Sequence, residues 1–329
     1  MLYKSIHIFL GGEIMVDLCL LGCGGGMPMP FRNLSATLLS FNGRKILIDC
    51  GEGTQVSMRM VGWGFKSIDV ICITHCHGDH IIGLPGLLST MGNSGRLEPL
   101  TIIGPEGISE VVNGLMVITK YLPYEVIIIE NPREINLSLN KENIEVIDRD
   151  GEIKINALEL EHSAPCLGYS FYFKRERKFS LEKAIENNVP KVLWNKLQKG
   201  NEEAILYEGK EYKKEMVLGE KRRGIKISLI TDSRPLESMI NFIDKSDLLI
   251  CEGTYGNDDD LDKAIKNKHM TFKEAATLAR DSNCEELLLT HFTPAMMDPK
   301  LYEDNAKSVF KNTIIGEDRL IKNISFSSK

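Results

Sequence analysis

Short apolar runs alternate with polar and glycine-rich breaks along this chain, and most of the runs end on one polar residue. Residues 16–21 read as a first strand, closed by the glycine-rich turn Gly22-Cys23-Gly24-Gly25-Gly26. That turn lacks the Gly-x-Gly-x-x-Gly spacing of a dinucleotide site and suits a tight loop beside a ligand. Residues 36–41 and 45–49 predict a hairpin through Asn42-Gly43, a pair that tolerates the positive φ angles of a two-residue turn. A strand over 69–73 is followed by a helix over about 80–91, a strand over 100–104, a helix after Pro105 and a strand over 126–130. Further strands are predicted over 153–161, 225–231, 248–251 and 287–290, with a helix over 271–283. Hairpins mixed with helical crossovers imply an α/β fold.

The polar residues at the strand ends form a series: Ile-Thr-His75, Leu-Glu-His162, Ile-Thr-Asp232, Ile-Cys-Glu252 and Leu-Thr-His291. Functional groups in mixed folds gather on loops at strand ends, so the series favours one shared site. Its densest part is Thr74-His75-Cys76-His77-Gly78-Asp79-His80. If the strand stays extended through His77, then His75 and His77 share a face, while Asp79 and His80 lie beyond the turn at Gly78 and face a second point. One cation cannot comfortably use all four groups; two adjacent cations can share them. Of the seven histidines, only His7 falls outside this constellation. Asp49, also at a strand end, reads as a supporting group rather than a ligand.

Composition narrows the setting. A 329-residue chain that is 43% hydrophobic and 26% charged can bury one large core or two small ones. No apolar run is long enough to span a bilayer. Residues 1–15 have no export-signal cleavage site and read as an N-terminal extension. The eight cysteines include no Cys-x-x-Cys pair, as expected of buried, reduced thiols in a cytoplasmic protein. Cys76 points away from its histidine neighbours in an extended segment. The net charge of −6 is uneven: residues 174–223 carry 14 Lys and Arg against 9 Glu, a net +5, leaving −11 elsewhere. A basic segment on an acidic body suits a localised contact with phosphates.

These residues resemble the metallo-β-lactamase superfamily and, within it, the ribonuclease Z family of tRNA 3′-processing endonucleases. The likeness runs from about Val16 to Thr293. It is carried by Asp49-Cys50-Gly51-Glu52-Gly53-Thr54-Gln55, the His75 to His80 motif, His162, Asp232-Ser233-Arg234-Pro235, Glu252, His269-Met270-Thr271 and Thr290-His291. The resemblance implies a four-layer αββα sandwich over residues 16–329, with an inserted, protruding substrate-binding arm at about 174–223. It also implies two zinc ions per chain, with Mn2+ or Fe2+ as alternatives. His75, His77 and His162 would bind one, Asp79, His80 and His291 the other, and Asp232 would bridge. Asp79 would take the proton of an attacking water, and His269, oriented by Glu252, would protonate the departing 3′ oxygen. Arg32 and Asn33 would contact substrate, as would Lys191, Lys196, Lys199, Lys213, Lys214, Arg222 and Arg223 on the arm. The partners implied are precursor tRNA and a second copy in a homodimer, with no membrane. The chain departs from the family pattern at Pro30, where a lysine is usual, and at Val192-Leu193, near the usual Gly-Pro of the arm. Two other functions compete: a dinuclear metal hydrolase of small phosphodiesters or other small esters, and a noncatalytic RNA-binding protein.

Overall fold

The computed structural model describes residues 15–326 apart from Lys141 and Asn201. The expected extension at residues 1–14 lies outside the described residues, while Met15, counted with it, instead opens the first strand. In chain order the strands are β1 (Met15–Gly22), β2 (Ala36–Phe41), β3 (Arg44–Ile48), β4 (Ile68–Cys72), β5 (Leu100–Gly104), β6 (Val126–Glu130), β7 (Glu134–Leu139), β8 (Ile144–Ile147) and β9 (Ile153–Glu159). They continue with β10 (Leu167–Arg175), β11 (Ala204–Tyr207), β12 (Lys210–Lys213), β13 (Arg222–Ile230), β14 (Leu248–Glu252), β15 (Leu287–Thr290), β16 (Thr313–Ile315) and β17 (Leu320–Ser325). The helices are α1 (Thr54–Val61), α2 (Gly78–Ile81), α3 (Leu84–Asn93), α4 (Ile108–Leu115), α5 (Leu181–Glu186), α6 (Lys191–Lys199), α7 (Glu237–Ile243), α8 (Leu261–Asn267), α9 (Phe272–Asp281) and α10 (Glu303–Lys307).

Two large sheets result, one in the order β17-β1-β2-β3-β4-β5-β6 and one in the order β16-β15-β14-β13-β10-β9-β7-β8. Side chains of a strand alternate between faces, and here both faces are apolar. On β1, Val16, Leu18 and Leu20 join the cluster shared with the second sheet, while Cys19 and Leu21 join a cluster with Met58 of α1, Leu87 of α3 and Val112 of α4. On β4, Val70 and Cys72 take the first side and Ile71 the second. The second sheet packs its outer face on α7 and α9 through Met239, Phe272, Ala275 and Ala279. Each fully buried Leu or Ile contributes about 1.5–3 kcal/mol, so this double burial dictates the layer order helix, sheet, sheet, helix. Among the described residues no helix is long and apolar enough to cross a membrane.

Two compact units divide the chain, one running to Phe173 and resuming from Ile225 to Phe326, the other spanning Lys174–Gly224. The smaller unit has its own core, in which Leu193 and Leu197, one helical turn apart on α6, pack with Ala184, Val189, Tyr212 and Val217. Its hairpin, β11 to β12, turns through Glu208 and Gly209 at φ 50° and 77°.

Two local expectations are corrected. The helix predicted over 80–91 is broken into α2 and α3 at Gly83, whose N–H donates to the Cys50 carbonyl at 2.9 Å. A β-carbon there would lie 2.3 Å from the Gly51 carbonyl, so the break lets two loops touch. Strand β4 ends at Cys72 rather than running through His77, so His75 and His77 sit on a loop.

Candidate metal centre

Strand ends deliver the site. Asp49 follows β3, His75 and His77 follow β4, His162 follows β9, Asp232 follows β13, Glu252 closes β14 and His291 follows β15. Strands β3 and β4 are parallel, as are β13, β14 and β15, which puts these carboxyl ends along common edges. Asp49 and His291 are both in the left-handed region, at φ 59° and 60°, uncommon for residues with a β-carbon. Asp49 is held there by accepting the Thr74 N–H and the His80 Nδ1–H, each at 2.7 Å. It therefore supports a histidine from behind, as expected.

The hydrogen bonds fix which imidazole nitrogens carry lone pairs. His80 spends its Nδ1–H on Asp49, and His162 spends its own on the Lys268 carbonyl at 3.3 Å. Thr254 donates its hydroxyl to Glu252 at 2.6 Å and so accepts from Nδ1 of His291 at 3.0 Å. That leaves Nε2 of His80 and Nε2 of His291 as acceptors only 3.2 Å apart, with Asp79 Oδ2 3.4 Å from the latter. On the other side, Nδ1 of His77 lies 3.0 Å from Nε2 of His75 and 3.2 Å from Nε2 of His162. Asp232 stands between the two groups: Oδ1 is 3.4 Å from His80 and 3.2 Å from His291, and Oδ2 is 3.6 Å from His75 and 3.7 Å from His162. Oδ1 is buried and has no hydrogen-bond donor among the described residues, a costly position for a carboxylate oxygen unless a cation meets it. The donor set, imidazoles and carboxylates with lone pairs converging, fits divalent metals.

Electrostatics point the same way. Burial alone would raise the Asp232 carboxyl, but His291, His80 and His75 outweigh it and hold it well below the usual carboxylate range. Burial also opposes charge on His80, yet Asp232 and Asp49 draw a proton to it strongly, whereas burial and the neighbouring His80 push His75 down to about 2. The carboxylates thus call for positive charge at the point the histidines share. His269 sits beside this cluster, its Nδ1 3.2 Å from Glu252 Oε1. Burial disfavours its charged form, but the Glu252 carboxylate and its hydrogen bond raise His269 to about 9. The glycine turn closes the other side: the Gly26 N–H donates to Asp79 Oδ2 at 2.6 Å.

A cleft of about 470 Å³ opens over the cluster and is lined by His77, Asp79, His162, Asp232, His269 and His291. It is also lined by Tyr255, Lys266, Asn267 and Lys268, which sequence reasoning missed. Tyr255 closes the Glu252-Gly253-Thr254-Tyr255 stretch that takes part in the resemblance, and the signal for the other three was the Lys-Asn-Lys run directly before His269. Arg32, expected to contact substrate, is instead 5% exposed. Its guanidinium donates to the carbonyls of Thr293, Met296 and Met297 and lies 5.6 Å from the Phe292 ring, so it braces the chain beyond His291. Asn33 likewise spends its side-chain amide on Ser57 at 2.5 Å and its N–H on Asp318 at 2.7 Å. The remaining expected contacts belong to the smaller unit. There Lys191, Lys196, Lys199, Lys213 and Arg223 are exposed, Lys214 lies 3.5 Å from Glu203, and Arg222 donates to the Glu176 carbonyl at 2.9 Å.

Two sheets packed between helices, with this cluster at their strand ends, define a hydrolase of the metallo-β-lactamase fold. A family model described as "Anti-Pycsar protein Apyc1" matches residues 16–199. Ribonuclease Z of Clostridium beijerinckii is 61% identical over 313 residues, covering 95% of this chain and 99% of the relative. Ribonuclease Z of Clostridium tetani is 58% identical over 315 residues, covering 95% of this chain and 100% of the relative. Among solved structures, human tRNase Z, short form, superposes with a TM-score of 0.64 at 25% identity, over 94% of this chain and 99% of that one. The chain belongs to the ribonuclease Z family.

Proposed function

We propose that this protein is an endoribonuclease that removes 3′ trailers from tRNA precursors in the cytoplasm, acting as a homodimer. The observation that carries the reading is the meeting of acceptor atoms from His75, His77, Asp79, His80, His162 and His291 around one buried carboxylate, Asp232. The full-length likeness to proteins named Ribonuclease Z supports RNA as the substrate.

His75, His77 and His162 would hold one zinc ion and Asp79, His80 and His291 a second, with Asp232 shared between them. Bound there, the two ions would supply Lewis acidity for an in-line attack by water on phosphorus and offset charge on the phosphoryl oxygens. Asp79 accepts the proton of the attacking water. Glu252 holds Nδ1 of His269, so that Nε2 donates its proton to the departing 3′ oxygen. The products are a tRNA with a free 3′ hydroxyl and a trailer with a 5′ phosphate. The lysines of the basic arm, Lys191, Lys196, Lys199, Lys213 and Lys214, with Arg222 and Arg223, position tRNA phosphates without reading sequence.

Cleavage of a 3′-extended pre-tRNA tests the reading. Asp79→Ala is expected to lower the rate by at least about a thousandfold while the circular dichroism spectrum stays native. Wild-type protein that hydrolyses a chromogenic phosphodiester but leaves pre-tRNA uncut would turn the assignment to small phosphodiesters.

A further inference from the structure

Tyr255 and Lys266 line the same cleft as Asp79, Asp232 and His269, yet no step described so far uses them. Tyr255 is firmly placed. Its N–H donates to the Met270 carbonyl at 3.2 Å, its carbonyl accepts the Phe272 N–H at 2.9 Å, and its hydroxyl accepts from Asn267 Nδ2 at 2.7 Å. The ring keeps a partly exposed position, with its centroid 6.4 Å from that of His269. A fixed aromatic ring at the rim of a phosphodiester-cleaving site can stack any nucleobase without ordering cost at the moment of binding. Lys266 is exposed beside it and has no ion-pair partner among the described residues. Its neighbour Lys268 differs, since its ammonium donates to the His162 carbonyl at 3.1 Å.

We propose that Tyr255 and Lys266 form a subsite for a single nucleotide, the base stacking on Tyr255 and the phosphate on its 5′ side pairing with Lys266. The inference rests on the reading of the chain as an RNA phosphodiesterase, and it fixes which nucleotide is held. His269 gives its proton to the departing 3′ oxygen, so the nucleotide that keeps this oxygen lies on the His269 side, where Tyr255 stands. The subsite therefore holds the last nucleotide retained in the product, and the trailer leaves by the opposite side.

The test compares a 3′-extended pre-tRNA with the same RNA made abasic at the last retained position. In wild type the missing base is expected to lower kcat/KM about tenfold, mostly through KM. Tyr255→Leu is expected to show no difference between the two RNAs, and Tyr255→Phe to restore it. Because the comparison is a ratio within each variant, a partly folded preparation does not disturb it. Lys266→Ala is expected to reduce the slope of log kcat/KM against log salt by about 0.7, the value for one phosphate contact on a single strand. A missing-base penalty that persists undiminished in Tyr255→Leu, or none in wild type, overturns the subsite while leaving the endonuclease reading intact. Failure of wild type to cut either RNA overturns both.

Discussion

At Gly25 one added methyl group probes how tightly the cluster is built. A β-carbon there would fall 2.4 Å from Cε1 and 2.5 Å from Nε2 of His291, the nitrogen turned towards Asp79 and Asp232. Either the ring or the glycine turn must shift, and a displacement of about 1 Å in a positioned group costs around a hundredfold in rate. Gly25→Ala is therefore expected to lower pre-tRNA cleavage by about two orders of magnitude and to reduce bound metal, measured by elemental analysis. The thermal midpoint is expected to move by only a few degrees, since the turn is at the surface of the cleft. Glu252 shows a different economy at the same scale. Its two oxygens serve His269 directly and His291 through Thr254, and it also accepts the N–H groups of Ser233 and Met270. One buried carboxylate thus orients residues on three loops.

Among the elements, β3 carries an instructive cost. Lys45 is half-buried there, hydrogen-bonded to Ser67 Oγ, and burial together with Arg44 lowers its amine to about 8. The unfolded chain holds that proton up to about pH 10.4, so between the two values unfolding takes up a proton and stability rises with pH. Below pH 8 the charged amine costs about 2 kcal/mol after allowance for its partial exposure. Lys45→Met is expected to raise the urea midpoint at pH 7 and to lose most of that advantage by pH 10. Strand β3 also shows what was legible in the sequence. Its apolar run and the Asn42-Gly43 turn are local signals, and so were the strands that hand His75, His162, Asp232 and His291 to loops. The break at Gly83 was not legible, because its cause is the approach of a loop some thirty residues earlier in the chain, near Gly51. Arg32 was expected at the substrate through the family resemblance; its bonds as a buried brace were not legible, because the three carbonyls it meets come from residues 293–297. Tyr255 and Lys266 were not assigned to the site because only α8 and its neighbouring loop bring them over the cluster.

For the molecule as a whole, the convergence of Asp49, Asp79, Asp232 and Glu252 on a few histidines is a concentration of negative charge that folding must offset. A ligand that binds only the folded state adds stability by mass action, so metal and fold are linked. Exhaustive chelation is expected to lower the thermal midpoint by roughly 5–10 °C, with recovery on adding zinc, as followed by circular dichroism. The smaller unit bears on a longer timescale. Because Leu193, Leu197, Tyr212 and their neighbours make an interior of their own, substitutions on its surface leave the catalytic body's packing untouched. The charge of residues 174–223 can then drift through surface substitutions while the packing inside each unit is inherited unaltered.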